Sequence, residues 1–120
     1  MPVRGVRGAT VVEEDSPQAI LTATQELLEA LLLANPGLKS DDIASCIFTV
    51  TDDLNSVYPA QAARQIGWSN VPFLCAREIA VPDGLPFCVR LLIHWNTPLA
   101  QEHIRHVYLK GAKSLRPDLP

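Results

Sequence analysis

The chain has 120 residues, enough for one domain with a real core, and its 48% hydrophobic and 19% charged content excludes a disordered polymer. A formal net charge of −3 leaves no basic face to neutralise phosphates, which argues against a nucleic-acid partner. Three cysteines without metal-ligand spacing, no apolar leader and no run long enough for a bilayer lead to the expectation of a soluble, cytoplasmic protein with reduced thiols.

In chain order, residues 3–12 read as a first strand with Arg7 on the same face as Val3, Ala9 and Val11. Gly5 and Gly8 flank Arg7 on either side. Glycine inside a strand marks a place where backbone or ligand comes close, but the spacing is not that of a phosphate loop. Glu13, Glu14 and Asp15 form a solvated turn. Ser16 and Pro17 then open the clearest helix, as N-cap and first helical residue, and Asn35-Pro36-Gly37 closes it. Ile20, Leu21, Leu27, Leu28, Leu31 and Leu32 give this helix a wide apolar stripe for lying across a sheet.

Residues 43–51 read as a second strand, and Asp52 and Asp53 belong to the turn after it. A short helix follows Pro59 and ends at Gly67, the expected position for a left-handed glycine. Residues 71–81 read as a third strand that brings in Arg77 and Glu78, with Cys75 and Glu78 pointing to opposite faces. Pro82-Asp83-Gly84 turns the chain into residues 86–97. There Phe87, Val89, Leu91, Ile93 and Trp95 alternate with Cys88, Arg90, Leu92 and His94, so both faces are apolar and the strand belongs near the middle of a sheet. Arg90 cannot shed its charge in that setting and must meet an anion, either a protein carboxylate, for which Glu78 is the leading candidate, or a ligand. Thr97 and Pro98 cap a helical turn. Residues 104–109 read as a last strand with Ile104, His106 and Tyr108 on one face, and residues 110–120 as a tail whose Arg116 could cover an anion.

The fold class is therefore α+β: one domain over residues 1–120, with a mixed sheet of about five strands, one long helix and one short one. A single helix layer covers one face of so apolar a sheet, and the other face is expected to bury against further copies of the chain. No hydrolase triad order, zinc spacing or dinucleotide fingerprint is present. Seven of the ten basic residues are arginines. Arginines on apolar strands, one embedded carboxylate, a tyrosine and a cysteine can orient and polarise an anionic organic molecule without attacking it.

Residues 3–10 (VRGVRGAT) with 12–15 (VEED), residues 51–54 (TDDL) with Pro59, Ala60 and Arg64, then Glu78, Arg90, residues 104–109 (IRHVYL) and residues 115–119 (LRPDL) together resemble the AroH-class chorismate mutases almost end to end. The resemblance implies a homotrimer forming a pseudo-α/β-barrel, with active sites in clefts between subunits. It implies the cofactor-free rearrangement of chorismate to prephenate on the route to phenylalanine and tyrosine. Carried over by position, Arg90 would contact a carboxylate and the ether oxygen, and Glu78 would accept from the ring hydroxyl. Arg7 would help at the anionic end and Tyr108 at the side-chain carboxylate. Cys75 and the backbone around Leu74 would sit beside the ring hydroxyl; Tyr58, Ala60 and Arg64 would line the wall, and Arg116 could close the mouth. Gln61 stands where some relatives have Lys, and Leu74 where some have Thr. Trimeric imine deaminases resemble this architecture too, and would differ by releasing ammonia.

Overall fold

Alternation along residues 88–96 sets the centre of the fold. The structure, a computed structural model, describes residues 1–118. It contains strands β1 (Val3–Val11), β2 (Ile43–Val50), β3 (Phe73–Arg77), β4 (Cys88–Asn96) and β5 (Val107–Tyr108), with helices α1 (Pro17–Ala34) and α2 (Ala60–Gln65). All five strands lie in one sheet, ordered β3-β2-β4-β1-β5, so the Arg90 strand is central as expected. β4 runs antiparallel to both β1 and β2, while β3 on β2 and β5 on β1 are parallel.

The Ser16 hydroxyl accepts from the Ala19 N–H at 3.2 Å and Pro17 occupies the first turn, so α1 starts where its capping chemistry dictates. Its stripe of Ile20, Leu27, Leu28 and Leu31 is fully buried against Val6 of β1, Phe48 of β2 and Val89, Ile93 and Trp95 of β4. Removing each such leucine side chain would cost about 2–5 kcal/mol. This packing is tight around Gly8. A Cβ there would meet Leu31 at 3.1 Å, Leu27 at 3.2 Å and the Val107 carbonyl at 3.3 Å, so helix and neighbouring strand both close on the bare backbone. Gly67, at φ 97°, follows α2 in the left-handed conformation that its position predicts.

The opposite face of the sheet has little cover. The segment Lys110–Leu115 forms a 3-10 helix whose buried Ala112 packs on Ala9 and Cys88. This part of the tail is thus docked on the sheet; Leu119 and Pro120 lie outside the described residues. Two strands are shorter than the sequence suggests. Only Phe73–Arg77 of residues 71–81 is strand, because Ile79 to Gly84 turn away from β2 into a loop. Only Val107 and Tyr108 of residues 104–109 pair with β1, because a 3-10 turn at Gln101–His103 precedes them and Lys110, at φ 53°, bends the chain just after. As a result Ile104 is buried in the main core, while Tyr108 packs with Ala9 and Cys88 on the other face.

Candidate active site

The open face of the sheet carries two rows of side chains whose order follows from strand register. Ala76, Thr49, Arg90, Ala9 and Tyr108 stand opposite one another across all five strands. Two residues along, Leu74, Ile47, Leu92 and Arg7 form the next row. Ala9, between Arg90 and Tyr108 in this row, is small and fully buried, with Ala112 packed on it. Glu78 follows the last residue of β3. Its N–H donates to Val50 O at 2.9 Å, continuing the ladder by one bond and bringing its carboxylate beside Arg90.

The Arg90 Nε lies 3.6 Å from Glu78 Oε1, and the Thr49 hydroxyl donates to that same oxygen at 2.8 Å. The expectation that Glu78 is the protein partner of Arg90 is met, as an ion pair too long for a hydrogen bond. Arg90 Nε and Tyr108 Oη are both buried and have no hydrogen-bond partner among the described residues. Buried polar groups of native proteins are nearly always paired, so two orphans in one cleft point to a ligand. That cleft has a volume of about 440 Å³ and is lined by Arg7, Thr49, Glu78, Arg90, Leu92 and Tyr108. A second hollow of about 680 Å³ adjoins it, sharing Glu78 and Arg90 and running under the 79–86 loop to Leu115.

The entry of β4 into this site is held by Asp53. Its carboxylate accepts from the Phe87 N–H at 3.0–3.1 Å and from the Thr51 hydroxyl, whose oxygen in turn accepts from the Cys88 N–H at 3.0 Å. Phe87 sits at φ 49°, a conformation that costs a bulky residue about 1–3 kcal/mol and persists only where surroundings enforce it. The turn role expected for Asp53 is therefore also a clamp two residues from Arg90. At the far side, the Arg7 N–H donates to His106 Nδ1 at 3.0 Å, which fixes β1 against the β5 segment. Burial, with help from Arg116 and Arg7, pushes the His106 pKa down and keeps this nitrogen an acceptor. Arg116 forms a two-pronged pair with Asp118, at 3.0 and 2.9 Å, and this partner holds the Asp118 carboxyl below its usual range.

The remaining predicted residues sit elsewhere. Cys75 points to the face opposite Glu78, as its parity requires, into a separate hollow of about 500 Å³ that it shares with Tyr58, Arg77 and Asn55. Tyr58 is 72% exposed. Arg64 stacks over the Phe73 ring at 5.6 Å, and Ala60 is buried in the chain's own core. Leu74 lies on the open face at the sheet's edge, 64% exposed. Within one chain, then, Arg7, Glu78, Arg90 and Tyr108 line one cleft with Arg116 beside Tyr108, while Tyr58 and Cys75 share a second hollow and Arg64 lies on Phe73. Thr49 is the site residue that sequence reasoning missed. Its only signal is that strand alternation sets it on the face of Arg90.

Neither buried thiol is poised to attack: burial pushes Cys46 up to about 12 and raises Cys88 as well. Among the described residues no group of three or more His, Cys, Asp or Glu side chains is placed to hold a metal ion, and no helix is long and apolar enough to cross a membrane. A cleft that presents fixed cations, a carboxylate acceptor and a phenol suits an isomerase that orients and polarises one bound molecule. Residues 3–119 match the family model described as chorismate mutase type I. The chain is 56% identical over 117 residues to the chorismate mutase AroH of Thermus thermophilus, covering 98% of this chain and 96% of that protein. It is 42% identical over 120 residues to the chorismate mutase AroH of Bacillus subtilis, covering 99% and 94%. A solved chorismate mutase from Clostridium thermocellum superposes with a TM-score of 0.88 at 45% identity, covering 92% of this chain and 97% of that one. The chain belongs to the type I chorismate mutase family, and the enzyme is an isomerase.

Proposed function

We propose that the chain is a single catalytic domain that converts chorismate to prephenate by an intramolecular Claisen rearrangement, serving aromatic amino acid biosynthesis in the cytoplasm as a homotrimer. One observation carries the reading: the buried, unpartnered Nε of Arg90 faces the same cleft as Arg7 and the unpartnered Tyr108 hydroxyl. Such a cleft suits a small molecule with two carboxylates. As the ether bond breaks, negative charge grows on its oxygen. A fixed guanidinium in a partly dry cleft attracts that oxygen more strongly than the neutral ether, which lowers the barrier. Glu78 accepts from the ring hydroxyl, Arg7 and Tyr108 hold the anionic groups, and Arg116 exchanges Asp118 for substrate as the tail closes over the mouth.

Tyr58, Arg64, Leu74 and Cys75 complete the cleft from a neighbouring subunit, and Ala60 supports that wall from behind. The separation of Tyr58 and Cys75 from Arg90 within one chain supports this division. The rearrangement is unimolecular, so the protein supplies neither nucleophile nor cofactor. Purified protein added to chorismate should abolish chorismate absorbance and yield prephenate with no ammonia. Unchanged chorismate would overturn the reading, and ammonia release would place the activity with the imine deaminases.

A further inference from the structure

The position of Glu78 leaves its carboxylate in need of a guide. It stands just past the end of β3, held by one backbone hydrogen bond, and the backbone alone does not aim its side chain. The guide is across the sheet. Thr49, opposite Arg90 on β2, donates its hydroxyl proton to Glu78 Oε1 at 2.8 Å. The same Oε1 is 3.6 Å from Arg90 Nε, and Nε makes no hydrogen bond among the described residues.

Two consequences follow from donor and acceptor counts. A threonine hydroxyl has one proton, and giving it to Oε1 leaves Oε2 as the free acceptor. A carboxylate beside a guanidinium otherwise tends to a two-pronged pair, which would occupy both Glu78 oxygens and the fork of Arg90 at once. We propose that Thr49 is a positioning residue for this reaction: its hydroxyl aims Glu78 at the substrate hydroxyl and keeps the carboxylate from collapsing onto Arg90. The proposal rests on the assignment of Glu78 as acceptor made above. A threonine chosen only for the strand would be replaceable by valine, which has the same shape and equal fitness for a pleated surface.

The test is steady-state kinetics on Thr49→Val, Thr49→Ser, Glu78→Gln and the Thr49→Val/Glu78→Gln double variant, each checked for native circular dichroism and assembly mass. Thr49→Val should lower kcat about tenfold with KM changed less than about twofold, since a hydrogen bond to a charged group is lost while the anion contacts stay. Thr49→Ser should return kcat to within about threefold of wild type. In the Glu78→Gln background, Thr49→Val should change kcat less than about twofold, because the two residues act as one unit. An equal loss in both backgrounds would make Thr49 a packing residue and overturn the proposal. A normal kcat for Thr49→Val beside a crippled Glu78→Gln would overturn it too, while leaving Glu78 its role. A normal kcat for Glu78→Gln would remove the acceptor assignment itself. Should Thr49→Val not fold, Thr49→Ala gives the same comparisons.

Discussion

In the proposed mechanism Arg90 is the cation on which the chemistry turns. Its strand is apolar on both faces, its neighbours in register are Thr49 and Ala9, and among the described residues its ion-pair partner is Glu78, at 3.6 Å. Losing one such preorganised donor typically costs about 3–4 kcal/mol, roughly a thousandfold in rate. Arg90→Lys keeps the charge but loses the planar fork, so its kcat should fall nearly as far as that of Arg90→Ala. Arg7→Ala should act more on KM, because a carboxylate is charged before and after the reaction. Kinetics on folded variants check both; an Arg90→Lys enzyme with near-normal kcat and raised KM would make Arg90 a substrate anchor. Arg90 is legible in the sequence because a guanidinium cannot go neutral, so its place in an apolar alternation already demands an anion. Thr49 is not legible in that way. A threonine on a strand is ordinary, and only the 2.8 Å contact with Glu78 gives it a role.

At the scale of elements, the central strand and the long helix were readable because period and capping agree: Ser16 caps, Pro17 starts, and the leucine stripe meets the sheet. β5 was readable only as a strand somewhere in residues 104–109; that it shrinks to Val107 and Tyr108 was not, because its place comes from contacts far along the chain. Asn35 supplies one, accepting from the Arg105 N–H at 3.0 Å and donating to the Arg105 carbonyl at 2.9 Å. His106 supplies another through the Arg7 N–H. Its pKa is lowered in the fold from 6.5 by burial first, then by Arg116 and Arg7, so the unfolded chain takes the proton first on acidification. The stability due to neutral His106 is therefore complete above about pH 6.5 and is lost as pH falls from there through the folded value. Thermal melts should thus show Tm dropping as pH falls below about 6.5, and His106→Asn, which keeps an acceptor but does not titrate, should drop less. Equal drops in both proteins would show that His106 is not the titrating strap.

At the scale of the whole molecule, one helix layer covers one face of the sheet, and the other face keeps Ile47 and Leu92 only partly covered and Leu74 and Val3 more than half exposed. Exposed apolar surface of this kind, continuous with the edges of a cleft, fits burial between subunits. The sequence announces the uncovered face through its two-sided strands and the division of the candidate site through the opposite parities of Cys75 and Glu78, while the hollow that Cys75 shares with Tyr58 appears only in the fold. A site shared between neighbouring subunits of a trimer is the central claim. Its most direct test is subunit mixing: Arg90→Ala and Arg64→Ala proteins, each nearly inactive alone, are unfolded together at equal concentration and refolded. Over the randomly mixed population about one cleft in four, roughly one in each mixed trimer, draws an intact Arg90 from one subunit and an intact Arg64 from its neighbour, so activity should rise to about a quarter of wild type. No rise above the parent proteins, with light scattering confirming mixed trimers, would contradict the shared site.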